Sequence, residues 1–191
     1  MTSEKIKSIA MDLFGRYGYE ETSLVDIATG VGIKKPSIYN HFKNKEELFL
    51  TILDDVLTTE INAFRSIIKQ TIDEPTVVKI YSIFTHFLHR YSESAEGLFW
   101  KRTIFFPPES FKQTINKKLL EFEQKTSDEL EAIFTEGIDK GDIKELDTSL
   151  LIAAFYCLLD GLFVEQHYYD PEELKLRLES SWTVFWLGIK K

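Results

Sequence analysis

Residues 23–48 read SLVDIATGVGIKKPSIYNHFKNKEEL: two short helices around a tight turn, then the capped start of a third. Ser23 with Asp26 three residues on has the spacing of an N-terminal capping box. Gly30 and Gly32 bracket the end of the first helix. Pro36 suits the opening turn of the second, where its missing N–H costs nothing. Asn44 with Glu47 caps the long helix that follows. Ala28 is small enough for two helices to cross, and Gly32 can turn sharply. Ile27, Ile33, Ile38 and Phe42 supply the small core beneath.

The charge of this window is as telling as its helices. No acid occurs between Ile27 and Lys45, although the 191-residue chain carries a net charge of -8. Residues 1–50 hold seven Lys/Arg and seven Asp/Glu, so the whole excess of -8 lies on residues 51–191. An acidic total argues against indiscriminate coating of nucleic acid, and it confines any phosphate contact to the N-terminal end.

Outward from the window, apolar residues recur at helical spacing almost throughout. Ile6, Ile9, Ala10, Leu13, Phe14 and Tyr17 form one face of a helix ending near Gly18. A long helix runs from Asn44 to about Ile72. Residues 76–94 follow, with Ile80, Phe84, Phe87 and Tyr91 on one side. An aromatic segment from Gly97 to Phe106 is stopped by Pro107 and Pro108. Helices over 111–138, 148–168 and 172–189 complete an all-α chain of about nine helices. The expected division is a helix-turn-helix DNA-binding domain at 1–50 and a larger helical domain at 51–191. With 43% hydrophobic and 28% charged residues the chain can bury a core and is not disordered.

Cys157 is the only cysteine, so no intrachain disulfide forms and a reducing compartment is expected. The N-terminus lacks a basic-then-apolar signal peptide. The apolar run from Leu150 to Val164 is short for a membrane span and contains Asp160. A cytoplasmic protein with no membrane partner is the expectation. No nucleophile with a paired base, Gly-rich phosphate loop or HExxH motif is present, so neither an enzyme nor a cofactor is expected. His86, His89 and Glu93 have a spacing that could hold a metal. They share a side with Lys79 and Ser82, opposite the apolar face, which reads as a solvated surface, and no metal is expected.

The outer face of the second short helix is free to enter a major groove, with Lys35, Ser37, Asn40 and His41 able to reach bases or phosphates. Over about residues 5–57 the chain closely resembles the DNA-binding domain of the tetracycline-repressor (TetR) family of bacterial regulators. D-I-A, V-G-I, S-I-Y-N-H-F and K-N-K-E-E-L-F carry the resemblance. It implies phosphate contacts from Tyr39, His41 and Lys45, and base-reading positions at Lys35, Pro36, Ser37 and Asn40. It also implies a backbone contact from the hydroxyl of Thr22 or Ser23. Lys34 is a weaker candidate beside Lys35. Ser23 equally suits a simple helix cap, Tyr39 could pack, and His41 could be a solvated surface residue. Val25 stands where some members carry a long polar base-reading side chain.

One recognition helix offers little specificity, so such modules work as symmetric dimers on palindromic half-sites about one DNA turn apart. Ala153, Cys157 and Gly161 form a small-residue strip suited to close helix approach. Leu178, Trp182, Phe185 and Trp186 belong to an apolar stripe on the last helix. The resemblance implies that these two helices form a homodimer interface. The aromatic-rich region 80–134 suits either a filled core or a pocket for a flat, greasy ligand. Phe84, Trp100 and Phe105 are its candidate pocket residues, and Asp160 is a polar anchor there or a group at the dimer seam. The resulting expectation is a homodimeric repressor of a duplex DNA operator, released by an unidentified small effector. The competing reading is a DNA-localised protein acting through a protein partner.

Overall fold

The structure is a computed structural model that describes residues 2–90, 94–166 and 168–191, the side chains of 87–90 excepted. Phe87, His89, Tyr91 and Glu93, read above as facing residues of one helix, therefore lie outside the described side chains. Among the described residues there are nine α-helices and no strand. They are α1 (Thr2–Tyr17), α2 (Leu24–Val31), α3 (Lys35–Ile38), α4 (Lys45–Gln70), α5 (Thr76–Arg90), α6 (Ala95–Phe105), α7 (Lys112–Asp139), α8 (Thr148–Glu165) and α9 (Pro171–Ile189).

The helix starts follow from capping chemistry. Asp147 Oδ1 accepts the Ser149 amide at 2.9 Å, and Asp170 accepts the Glu172 and Glu173 amides at 3.0 Å each. These satisfy N–H groups that a helix start leaves without partners. α3 is shorter than the expected helix to Phe42. After Ile38 the chain tightens into turns, its carbonyl accepting both the His41 amide at 2.9 Å and the Phe42 amide at 3.0 Å. α8 is 18 residues long and, contrary to the sequence reading, is long and apolar enough by composition to cross a membrane. Leu151, Phe155, Leu159 and Leu162 on it are buried in a protein core.

The chain divides into two compact units, and the division is not the expected break at residue 50. The first comprises Met1–Glu60 with Glu93–Phe122, the second Ile61–Ser92 with Glu123–Lys191. In the first unit α1 packs most extensively on α6. Phe49 sits 5.0 Å from Phe99 of α6, 5.5 Å from Phe111 and 5.3 Å from Phe14 of α1, measured between ring centres. This aromatic cluster is why α6 and the start of α7 belong with the N-terminal helices.

The core of the second unit gathers Phe64, Ile80, Phe84, Phe134, Phe155 and Trp182. Phe84 lies 5.4 Å from Trp182 and 6.1 Å from Phe155. Lys79, almost fully buried, reaches Glu136 at 3.0 Å. Arg177 links α9 to Glu165 of α8 at 3.0 Å while its guanidinium lies 3.7 Å from the Tyr169 ring centre.

Candidate functional site

The helix-turn-helix is built from short-range chemistry. Ser23 caps α2: its backbone N–H donates to Asp26 at 2.9 Å, and its Oγ accepts the Asp26 amide at 3.2 Å. The Ser23 hydroxyl also donates to the Asp26 carboxylate at 2.6 Å, and these bonds hold that carboxyl below its usual range. Gly32 closes α2 at φ +80°, a left-handed conformation that favours glycine, and its amide donates back to Ala28 and Thr29. The carbonyl-to-amide path then restarts at α3, with Pro36 in its first turn. Ile27, Ala28, Ile38 and Phe42 are buried beneath, whereas Ile33 is only half-buried.

This small core turns one set of side chains outward. Lys34, Lys35, Pro36, Tyr39, Asn40, His41 and Lys43 are exposed, and Ser37 is half-buried. Tyr39 keeps 50% of its surface open, so it is not the packing residue it could have been. Val25, on α2, is likewise exposed. The expected base-reading and phosphate-contacting residues of α3 are thus brought together on one surface.

Two candidate DNA contacts are turned elsewhere. Thr22 is 2% exposed, and its hydroxyl donates to Gly18 O at 2.8 Å and Leu13 O at 3.3 Å. Its role is to close the α1–α2 loop, which leaves Ser23 as the exposed hydroxyl. Lys45 is half-buried, and its amine donates to the carbonyls of Tyr19 at 2.6 Å and Thr22 at 2.9 Å. The α4 start is otherwise capped by Asn44, whose Oδ1 accepts the Glu47 amide at 2.7 Å; the Glu47 carboxylate accepts the Lys43 amide.

A second surface lies on α8 and α9. Ala153, Cys157 and Gly161 are exposed. Leu178 and Trp182 are not: both are buried in the second unit's own core, and Phe185 and Trp186 are half-buried against it. The apolar stripe read from α9 was the inward one. The outward stripe is Leu176, Val184 and Leu187, respectively 61%, 72% and 53% exposed. Its signal in the sequence is a second series, 176, 180, 184 and 187, running between the larger aromatics. A Cβ added to Gly161 or Gly188 would meet nothing within 4 Å, so packing within the chain does not require glycine at either position.

The candidate pocket residues do not share one setting. Phe84 is a fully buried core side chain of the second unit, tightly ringed by aromatics. Trp100, in the first unit, is buried edge-on against Phe122 at 5.6 Å. Phe105 is 45% exposed. Asp160 is exposed on α8, and partial desolvation with the neighbouring Glu123 carboxylate pushes its carboxyl above its usual range. One turn away Tyr156 pairs its hydroxyl with Thr126 at 2.6 Å. Among the described residues no group of three or more His, Cys, Asp or Glu could hold a metal ion.

A short helix-turn-helix with an exposed, acid-free recognition surface, followed by a larger helical part, defines a class of DNA-binding transcription regulators. The sequence matches the profile of the bacterial regulatory proteins of the tetR family over residues 6–52, and that of the QacR-like C-terminal region over residues 79–191. The chain belongs to the TetR family, whose members regulate transcription and are not enzymes.

It is 51% identical over 45 residues to the repressor ComR of Escherichia coli, a match covering 24% of this chain and 21% of ComR. It is 28% identical over 127 residues to IcaR of Staphylococcus epidermidis, the negative regulator of the biofilm operon icaADBC, covering 66% of each. Over 154 residues it is 26% identical to the regulator YezE of Bacillus subtilis, covering 77% of this chain and 75% of YezE. Its fold is similar to that of a TetR-family regulator of Mesorhizobium loti, with a TM-score of 0.80 and 20% identity over 100% and 97% of the two chains. It is also similar to FadR of Bacillus subtilis in complex with stearoyl-CoA, with a TM-score of 0.76 and 22% identity over 97% and 98%.

Proposed function

We propose that the chain is a homodimeric repressor that binds a palindromic DNA operator in the cytoplasm and is released by a small, largely apolar ligand. The observation that carries the DNA reading is the surface of α3 and its following turn. Lys35, Pro36, Tyr39, Asn40 and His41 are exposed together on a buried base, without an acid, in a chain of net charge -8. Lys35, Ser37 and Asn40 have donors and acceptors for base edges in the major groove. Tyr39, His41 and Ser23 suit the phosphate backbone, with Lys34 beside them.

Pairing of two copies is supported by the outward apolar stripe of α9 and the small-residue strip of α8. Exposed apolar side chains on neighbouring helices suit an association site, and an isologous contact would set two recognition surfaces on successive half-sites. The relative ComR is a transcriptional repressor and IcaR a negative regulator, which supports repression here. FadR, alike in fold, was captured with stearoyl-CoA, which makes fatty acyl-CoA esters the first effectors to try. Trp100 stays a candidate ligand contact; Phe84 and Phe105 do not. Release requires an effector that binds the DNA-bound and free conformers with different affinity.

Selection of duplexes from a random library by the purified protein tests this reading. The expected product is an inverted repeat with half-site centres about 10 base pairs apart or a multiple of it. Enrichment of no sequence would overturn the regulator reading, and many unrelated sites would favour action through a protein partner. An acyl-CoA that leaves operator affinity unchanged would remove that ligand class.

A further inference from the structure

The apolar side chains of α2 divide unequally. Leu24, Ile27, Ala28 and Val31 are buried, whereas Val25 is 53% exposed. Folding does not ask for valine there. A β-branched residue is a poorer helix former than alanine, and the start of α2 is already secured by the Ser23–Asp26 capping box.

Helix geometry says which way Val25 points. Successive residues turn about 100° around the axis, so Val25 and Gly30 stand on opposite flanks of the buried face. A methyl on Gly30 would lie 2.8 Å from Cγ2 of Ile9, which places α1 on that flank. Val25 takes the other, one turn before Ala28, whose carbonyl accepts the Gly32 and Ile33 amides in the turn to α3. α3 packs on α2, and the Val25 flank therefore opens beside the surface of Lys35, Pro36 and Asn40. Thr29, exposed on the same flank, commits its hydroxyl hydrogen to the Val25 carbonyl at 2.9 Å. What this flank presents outward is carbon, with no free side-chain donor.

We propose that Val25 is a specificity-determining residue, selecting thymine by contact with its 5-methyl group in the major groove. This rests on the DNA-binding reading above. A valine can neither bond a phosphate nor match the donors and acceptors of a base edge. The thymine methyl is the apolar group that a base pair presents in that groove. Bringing the two together removes both from water, and neither has a hydrogen bond to lose.

The test uses the full-length protein and the selected operator, with each thymidine replaced in turn, in both half-sites, by deoxyuridine. Deoxyuridine pairs with adenine in the same way and lacks only the methyl. Fluorescence anisotropy at fixed salt compares the wild type with Val25→Ala, a substitution that favours the helix. One replacement is expected to weaken wild-type binding about fourfold per half-site, the range for a single methyl withdrawn from an apolar contact. The same replacement leaves Val25→Ala unaffected, and this variant binds the unmodified operator as weakly as the wild type binds the replaced one. Thymines read by another apolar group, such as Pro36, keep their effect in both proteins. Equal sensitivity of the two proteins at every thymine would assign the methyl contacts elsewhere and overturn the proposal. So would a wild type indifferent to every replacement, or a Val25→Ala loss of equal size on operator and scrambled duplex, which marks a merely structural residue. Failure of the wild type to select any duplex would instead sink the DNA-binding reading itself, and this proposal with it.

Discussion

A methyl group on Gly15 would stand 2.9 Å from the backbone nitrogen of Phe99 and 3.1 Å from Cβ of Leu98. α1 and α6 therefore cross almost backbone to backbone, at a position where no other residue fits without displacement. The neighbour in the way is main chain, which cannot swing aside as the end of a flexible side chain could.

Gly15→Ala is accordingly expected to destabilise the first unit by about 1–3 kcal/mol, the range for an overfilled contact. Urea unfolding of the two proteins measures it. An unchanged midpoint would mean that α1 and α6 can part without loss.

The two stripes of α9 separate folding from pairing. Val184→Glu or Leu187→Glu should yield a folded monomer in sedimentation, because each side chain is mostly open in the single chain. Trp182→Ala should lower stability by about 3–5 kcal/mol through the cavity it leaves. Dimerisation by the glutamate variants at wild-type affinity would remove the proposed contact face.

The base-reading and backbone-holding residues should differ in specificity. Asn40→Ala is expected to lower operator affinity by about 1–3 kcal/mol and to relax sequence preference at one position. Tyr39→Ala should weaken operator and scrambled DNA alike. Competition assays with single-base operator variants distinguish the two patterns.

The α2 cap carries its own acid sensitivity. The Ser23 bonds hold the Asp26 carboxyl below its usual range, so its contribution is present above the unfolded carboxylate pKa of about 4. It is lost as pH falls through the lower, folded value. Amide exchange across α2 should quicken over that interval, and Asp26→Asn should remove the pH dependence of that exchange.

The helix-turn-helix was legible because its signals are local: a cap at Ser23, a left-handed turn at Gly32 and a proline at position 36. Each acts within four residues of itself. Lys45 and Thr22 were harder, since what decides them is a loop 23 to 26 residues away for Lys45 and a helix end for Thr22. Periodicity located the apolar residues of α9 but not which of its two stripes turns inward. Trp182 and Val184 are two residues apart on the same helix, and only the neighbours α5 and α8 decide that the tryptophan is covered. Trp182 and Leu178 turn to the core, while Leu176, Val184 and Leu187 stay outside. The place of α6 with the N-terminal unit had no sequence signal beyond Gly15 itself.

The exposed position of Cys157 makes the chain its own reporter. As the sole thiol, standing outward on α8, it offers one attachment point for a maleimide dye or spin label without engineering. If the small-residue strip closes against a second copy, labelling becomes a clock for how often the two copies separate. The rate of dye uptake, compared with and without operator or effector, then reads the assembly from inside its seam.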